Sequence, residues 1–435
     1  MALTAHRGEI LHFLDDPGIA GQEAVVHFPD GLLLVEDGLV ADAGPFDVLG
    51  GTLPPDADIL HHRDALLVPG LVDTHIHYPQ CDVIAAYGTR LLDWLETHTF
   101  PAERQFEDIA HAESTASFFL EELLRNGTTT ALVFGTVHPQ SVSAFFTAAR
   151  ERNLRMICGK VLMDRNAPAY LRDTPSTGYR DSKSLIESWH GVDRLGYAVT
   201  PRFAPTSSPE QLDMAGRLLA EHPGVHLHTH LAESAEECRW VSELFPDAAG
   251  YLDVYERHGL LGRRSVFAHG IHLDDGEWRR LAETGSGIAH CPLSNLFIGS
   301  GLFDYRTARE NRVHTGLGTD VGGGDSFSLL RVINEAYKVQ QLQDCNLSPF
   351  ESLYLATLGG ARMLDLHPHI GNFEPGKEAD FIVLDYRATP LIDRRIRGSA
   401  SLMERLFVLQ MLGDDRAVRE TRILGETTHG RGQTL

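Results

Sequence analysis

The sequence predicts an α/β protein: a (β/α)8, TIM-like barrel with a small β-sandwich domain assembled from both chain ends. Three observations carry this expectation. Eight short apolar segments alternate with longer helical patterns through the middle of the chain. Turn-broken alternating segments precede them, and strand chemistry returns after them without further barrel rhythm. Strands alternating with helices build a parallel sheet, and eight such units close into a barrel of about 250 residues or more.

The elements follow in order. Residues 1 to about 68 hold the runs "EAVVHF", "GLLLVEDGLVADAG" and "DALLVPG", broken by Asp-Gly and Pro, which read as strands and hairpins. The barrel strands are then "GLVDTHIH", "TTTALVFGTVH", "RMICGKVLMD", "LGYAVTPRFAP", "VHLHTHLAE", "SVFAHGIHL", "GIAHCPLSN" and "VHTGLGTDV". Between them, "SSPEQLDMAGRLLAEH" opens with a serine cap and a proline in the first turn, and "SAEECRWVSELF" has helical spacing. "SPFESLYLATLGGARMLDL" is helical, and "GNFEPGKEADFIVLDYR" returns to strand with a turn at Pro375-Gly376. No barrel-type helix is expected after it. Residues 69–371 are therefore assigned to the barrel, and 1–68 with 372–435 to the small domain.

Bulk composition excludes several functions. Sixty acidic against 38 basic residues give a formal charge of -22, which argues against a nucleic-acid partner, since those proteins carry clustered positive charge. The start "MALTAHRGEILHFLDD" lacks the basic-then-apolar order of a secretion signal, and no apolar run approaches the length of a membrane span. The five cysteines form no CxxC pair and are expected to be free thiols of a reducing, cytoplasmic setting. Cys291, in "HCPLSN", leaves a metal thiolate as a minor alternative.

Chemistry concentrates at strand ends. Residues two apart on a strand face the same way, so His75 and His77 point together at the C-terminal mouth, where barrel active sites form. His230 ends the fifth strand, with His226 and His228 below it on the same face. His269 ends the sixth strand and Asp320 the eighth. Two imidazoles so close are best accommodated as neutral ligands, and this collection forms a shell for a divalent metal. His226 and His228 are expected in the barrel interior or behind the ligands, His290 in the pocket wall or as a support, and His138 and His272 in loops. Asp73 reads as a cap or packing partner. Gly322, Gly323 and Gly324 would let the chain pass close to Asp320; no P-loop lysine follows them.

The phrases "PGLVDTHIHYPQ", "LLDWLETHTFPAE", "MDRNAPAYLRDT", "TPRFAP", "THLAES", "AHCPLSNLFIGSGLF" and "GLGTDVGGGDSFSLLR" resemble the amidohydrolase superfamily over nearly the whole chain. The narrower ones, "HYPQ", "LDWLETHTFP" and "TPRFAP", resemble its guanine-deaminating branch. The resemblance implies hydrolytic deamination of guanine to xanthine and ammonia, water adding at C2, in a homodimer. It implies one zinc ion per chain on His75, His77, His230 and Asp320, with Asp320 also taking the water proton. Glu233 is implied as the proton carrier and His269 as the group beside the reacting water. Gln80, Arg202 and Phe203 are implied as the purine pocket, with His230, Glu233 and Asp320 also facing the substrate.

Physical chemistry suits these roles. Arginine offers a planar donor fork to O6 and N7 of the purine, phenylalanine a stacking wall, and glutamine both donors and an acceptor. Related hydrolases with two metals bridge them by a modified lysine ending the fourth strand. The four lysines here are Lys160, Lys183, Lys338 and Lys377, none on that strand, so one metal is expected. The H-x-E and P-C-x-x-C signature of other deaminases is missing. A deaminase or dechlorinating hydrolase acting on a triazine or pyrimidine, and a non-catalytic scaffold, are the alternative readings.

Overall fold

The structure, a computed structural model, describes residues 3–54, 57–88 and 90–432. Four strands open the chain: β1 (Leu3–Phe13), β2 (Val25–Glu36), β3 (Leu39–Pro45) and β4 (Ile59–Pro69). The barrel strands follow: β5 (Leu71–His77), β6 (Thr128–Phe134), β7 (Arg155–Gly159) with its continuation β8 (Val161–Leu162), β9 (Gly196–Pro201), β10 (His226–Leu231), β11 (Ser265–His269), β12 (Gly287–His290) and β13 (His314–Leu317). All eight anticipated barrel strands are present, hydrogen-bonded in parallel. The ring closes between β13 and β5 through Thr74 Oγ1 donating to Leu317 O, Asp320 N to His75 O and His77 N to Val321 O, each at 2.9 Å. Every residue of β5 and β6 is buried, the polar Asp73, Thr74, His75 and His77 of β5 included, so these strands show no apolar-polar alternation.

The chain ends with β14 (Phe381–Asp385), β15 (Val418–Ile423) and β16 (Glu426–Gly430). These join the N-terminal strands in one seven-stranded sheet, ordered β16-β15-β14-β4-β1-β2-β3. Side chains from both halves of that sheet, Ile10, Leu33, Val35 and Val40 with Leu67, Phe381 and Val383, share one apolar cluster. Ion pairs fasten the sheet to the barrel. Glu378 accepts from Arg155 Nε at 2.7 Å and from Arg194 Nη2 at 2.6 Å, and Arg194 also reaches Asp380.

Local signals explain the helices. Pro209–Glu221 begins with the Ser208 side chain accepting from Gln211 N, and Ala235–Leu244 with a reciprocal Ser234–Glu237 capping box. Two elements depart from the expectation for the tail. Two helices, Pro390–Arg397 and Leu402–Leu412, stand between β14 and β15; the second packs on the barrel helices Leu329–Gln341 and Pro349–Tyr354, and the first packs on the second. Asn334 Nδ2 donates to Met411 O, and Gln410 Nε2 to Pro349 O, each at 2.8 Å. Their starts carry ordinary caps, Thr389 before Pro390 and Ser401 bonded to Glu404 N.

The seven-stranded sheet buries an imidazole pair, His6 Nδ1 lying 3.1 Å from His62 Nε2. Burial lowers His6 to about 3 and His62 to about 4. A folded-state value below the unfolded one means that the unfolded chain binds more protons. The stabilisation is therefore complete above about pH 6.5 and is lost as pH falls toward 4, by up to about 1.4 kcal/mol per unit and histidine. The urea midpoint is expected to fall between about pH 7 and 5, and a His6→Leu/His62→Leu double variant to show a flatter decline. Equal slopes in the two proteins would contradict this.

Candidate active site

The barrel brings the strand-end residues to one place. His75 and His77 come from the end of β5, His230 from β10, His269 from β11 and Asp320 from the segment after β13. One donor atom from each of His75, His77, His230 and Asp320 falls within 4.8 Å of the others. Asp320 Oδ1 is 3.1 Å from His75 Nε2 and 3.4 Å from His77 Nε2. The backbone is strained here: φ is +77° at His269, +50° at Asp320 and +49° at Ala232. Such conformations persist only where surrounding structure enforces them. The glycines after Asp320 permit the tight passage, since a Cβ on Gly324 would sit 1.9 Å from Thr319 O.

Neighbouring groups orient the rings. His230 Nδ1 donates to Arg202 O at 2.7 Å, turning Nε2 toward the cluster. His75 Nδ1 lies 2.7 Å from His228 Nε2, which puts His228 behind a ligand position. His226, one layer deeper, donates from Nε2 to Leu364 O. Asp73 is the anticipated cap: Oδ1 accepts from His75 N and Thr319 N, each at 3.1 Å, and Oδ2 from Thr319 Oγ1 at 2.5 Å. Burial raises Asp73 to about 7.

The ionisation pattern suits a cation. Burial lowers His77 to about 3 and His230 well below its ordinary value, so both rings are neutral lone-pair donors. Burial opposes ionisation of Asp320, yet His75, His77 and His269 hold its carboxyl well below the usual range. His75 Nε2 is buried with no hydrogen-bond partner among the described residues. Three imidazoles and a carboxylate form a donor set that fits one divalent metal such as zinc.

The other two groups face this cluster. Burial, then the charge of Asp320, pushes Glu233 well above the ordinary carboxyl range, and Ser300 Oγ donates to its Oε1 at 3.1 Å. Asn295 Nδ2 donates to His269 Nδ1 at 3.0 Å, leaving the proton of the neutral ring on Nε2. That Nε2 lies 3.5 Å from Glu233 Oε2 and 3.8 Å from Asp320 Oδ2.

A pocket opens onto the cluster. Its polar lining includes Gln80, Arg202, His230, Glu233 and Asp320, and its apolar walls include Phe203, Trp94 and Ile298. Every substrate-facing residue expected from the sequence lies in that lining.

Comparisons with known proteins agree. The amidohydrolase family pattern matches residues 66–427. The chain belongs to the amidohydrolase family.

Guanine deaminase of Escherichia coli is 52% identical over 432 residues, 99% of this chain and 98% of that one. The solved E. coli guanine deaminase superposes with a TM-score of 0.96, covering 99% of this chain and all of that one. Guanine deaminase from Bradyrhizobium japonicum is 38% identical with a TM-score of 0.95, covering 99% and 100% of the two chains. A C. acetobutylicum guanine deaminase solved with guanine in its active site is 28% identical with a TM-score of 0.88, covering 98% and 100%. This amidohydrolase is thus a hydrolytic deaminase by kinship.

Several residues of this amidohydrolase site were not singled out from sequence. Glu103, fully buried on the helix Phe100–Arg104, accepts from Arg202 Nη1 at 2.8 and 2.9 Å. Asn295 and Ser300, which hold His269 and Glu233, belong to the phrase "AHCPLSNLFIGSGLF" but carried no assigned role. Two candidates lie outside the four-residue cluster. His290 stacks on Phe303 with ring centres 4.5 Å apart, and the Cys291 thiol, held above its ordinary value by burial, shares a second group of donor atoms within 4.8 Å of one another with His269 and Asp320. Lys160 is tied to Asp173 at 2.6 Å, and so is engaged away from the cluster.

Proposed function

We propose that this amidohydrolase converts guanine and water to xanthine and ammonia, with one zinc ion on His75, His77, His230 and Asp320. The observation that carries the reading is the pocket itself, in which Gln80, Arg202 and Phe203 face the four-residue cluster and Glu233. Its relatives named guanine deaminases support the same substrate. A homodimer, a cytoplasmic location and a place in purine breakdown belong to this reading. No helix among the described residues is long and apolar enough to cross a membrane.

When bound, the metal would lower the pKa of a water toward neutrality. As the water oxygen bonds to C2, Asp320 accepts one of its protons. Glu233, held protonated by burial, donates to N3, which keeps that proton in xanthine. The hydroxyl proton at the now tetrahedral C2 passes through Glu233 to the amine, and the C2–N bond breaks to release ammonia. The proton on Asp320 then restores Glu233, both carboxyls facing His269 Nε2. His269, neutral by burial, directs the incoming oxygen. Phe203 and Trp94 wall the ring, and the fork of Arg202 faces O6 and N7.

Ammonia release by purified protein of known metal content, measured on guanine, adenine, cytosine and a triazine, tests the reading. Turnover of guanine alone, to xanthine, is the expected outcome. Turnover of another ring without guanine would remove the assigned roles of Gln80, Arg202 and Phe203. Arg202→Ala is expected to raise KM for guanine about 10- to 100-fold with a smaller loss of kcat, the worth of one charged hydrogen-bonding group. An unchanged KM would remove the O6/N7 assignment.

A further inference from the structure

Glu103 has no part in the chemistry above, yet it is placed at the specificity end of the pocket. It comes from the helix Phe100–Arg104, in the stretch "LETHTFPAE" between β5 and β6. Its side chain is wholly buried. Both oxygens accept from one nitrogen of Arg202, Nη1, and Oε1 also accepts from Gln80 Nε2 at 3.4 Å. The Gln80 amide is fixed from its other end, because Gly322 N donates to Oε1 at 3.1 Å. Arg202 is itself anchored in the backbone that holds His230, through the carbonyl that accepts from His230 Nδ1.

Two consequences follow from this geometry. Glu103 takes a single corner of the guanidinium and so sets the plane in which the remaining N–H groups are offered. It also takes one amide proton of Gln80, leaving the other for a ligand. The second consequence concerns charge. A buried guanidinium without a partner would attract anions strongly, whereas the Arg202–Glu103 pair is neutral as a unit. A neutral purine is then met by directed donors, and an anionic purine gains little from the positive charge. The distinction matters for this reaction. Xanthine carries two ring carbonyls that acidify its N–H groups, so it ionises more readily than guanine.

We propose that Glu103 is a positioning and selectivity residue. It aims Arg202 and Gln80 at the neutral substrate and cancels the Arg202 charge, so that ionised product is held weakly. The proposal rests on the guanine reading given above.

The test compares wild type, Glu103→Gln and Glu103→Asp, all metal-loaded and matched for thermal midpoint. KM and kcat for guanine and the inhibition constant of xanthine are measured at about pH 6 and about pH 8.5, on either side of xanthine ionisation. Glu103→Gln is expected to raise KM for guanine about tenfold with a smaller change in kcat, and to tighten xanthine inhibition about tenfold at the higher pH only. Glu103→Asp, which keeps the charge, should not show the tightening. An unchanged KM, or guanine and xanthine weakening in parallel at both pH values, would overturn the proposal. Calorimetry on wild type alone provides an arm that needs no variant. Xanthine affinity should fall as xanthine ionises, and a rise would also overturn it. A wild type that releases no ammonia from guanine refutes the substrate reading; normal guanine turnover with an unaltered Glu103→Gln refutes the Glu103 assignment alone.

Discussion

Glu233→Gln is expected to retain its metal and lose about three orders of magnitude in kcat, the middle of the range a positioned proton donor contributes. The reasoning starts from burial. Glu233 is buried among Asp320, His269 and Ser300, and burial with the nearby Asp320 charge pushes its carboxyl well above the ordinary range, toward the protonated form. Glutamine copies the shape and can still accept from Ser300 Oγ. It cannot release a proton to N3 or pass one to the amine. Binding should survive, so KM for guanine should move little while kcat collapses, the signature of an interaction made only in the transition state. Turnover within about tenfold of wild type, with metal content intact, would remove Glu233 from this role.

The positions of these groups were readable from sequence for a physical reason. A barrel strand has period two and its C-terminal end faces the site, so "DTHIH", "HLHTHLAE", "FAH" and "GTD" announce both the residue types and their direction. What was hidden depends on contacts between distant segments. Glu103 sits beside the exposed Arg104 on a short helix, and nothing in the local sequence separates it from a solvated glutamate. Only closure of the barrel brings it to Arg202, 99 positions away. Asn295 and Ser300 are likewise defined by partners on other strands. The helices at 390–397 and 402–412 are a different case. Their caps were visible, but the return to strand at "ADFIVLDYR" directed the expectation for the whole tail, and the side on which the 402–412 helix docks was set by the barrel helices it covers.

His77→Ala is expected to differ from Glu233→Gln in kind. It removes one of three imidazoles whose donor atoms converge on Asp320. The remaining His75, His230 and Asp320 would hold a cation weakly, and Asp320 would lose one of the hydrogen-bonding partners that hold its carboxyl low. Metal content should fall well below one per chain, and activity should fall to background. The protein should also lose the stabilisation that a ligand gives only to the folded state, about 4 kcal/mol where free metal exceeds Kd a thousandfold. Wild type stripped by a chelator should show the same loss of thermal midpoint and recover on adding zinc, whereas His77→Ala should not recover. His228→Leu, which leaves every candidate ligand in place but removes the group behind His75, should fall between them, with metal affinity lower by about 10- to 100-fold. Full metal occupancy in His77→Ala after dialysis would exclude His77 as a ligand, and with it the four-residue site.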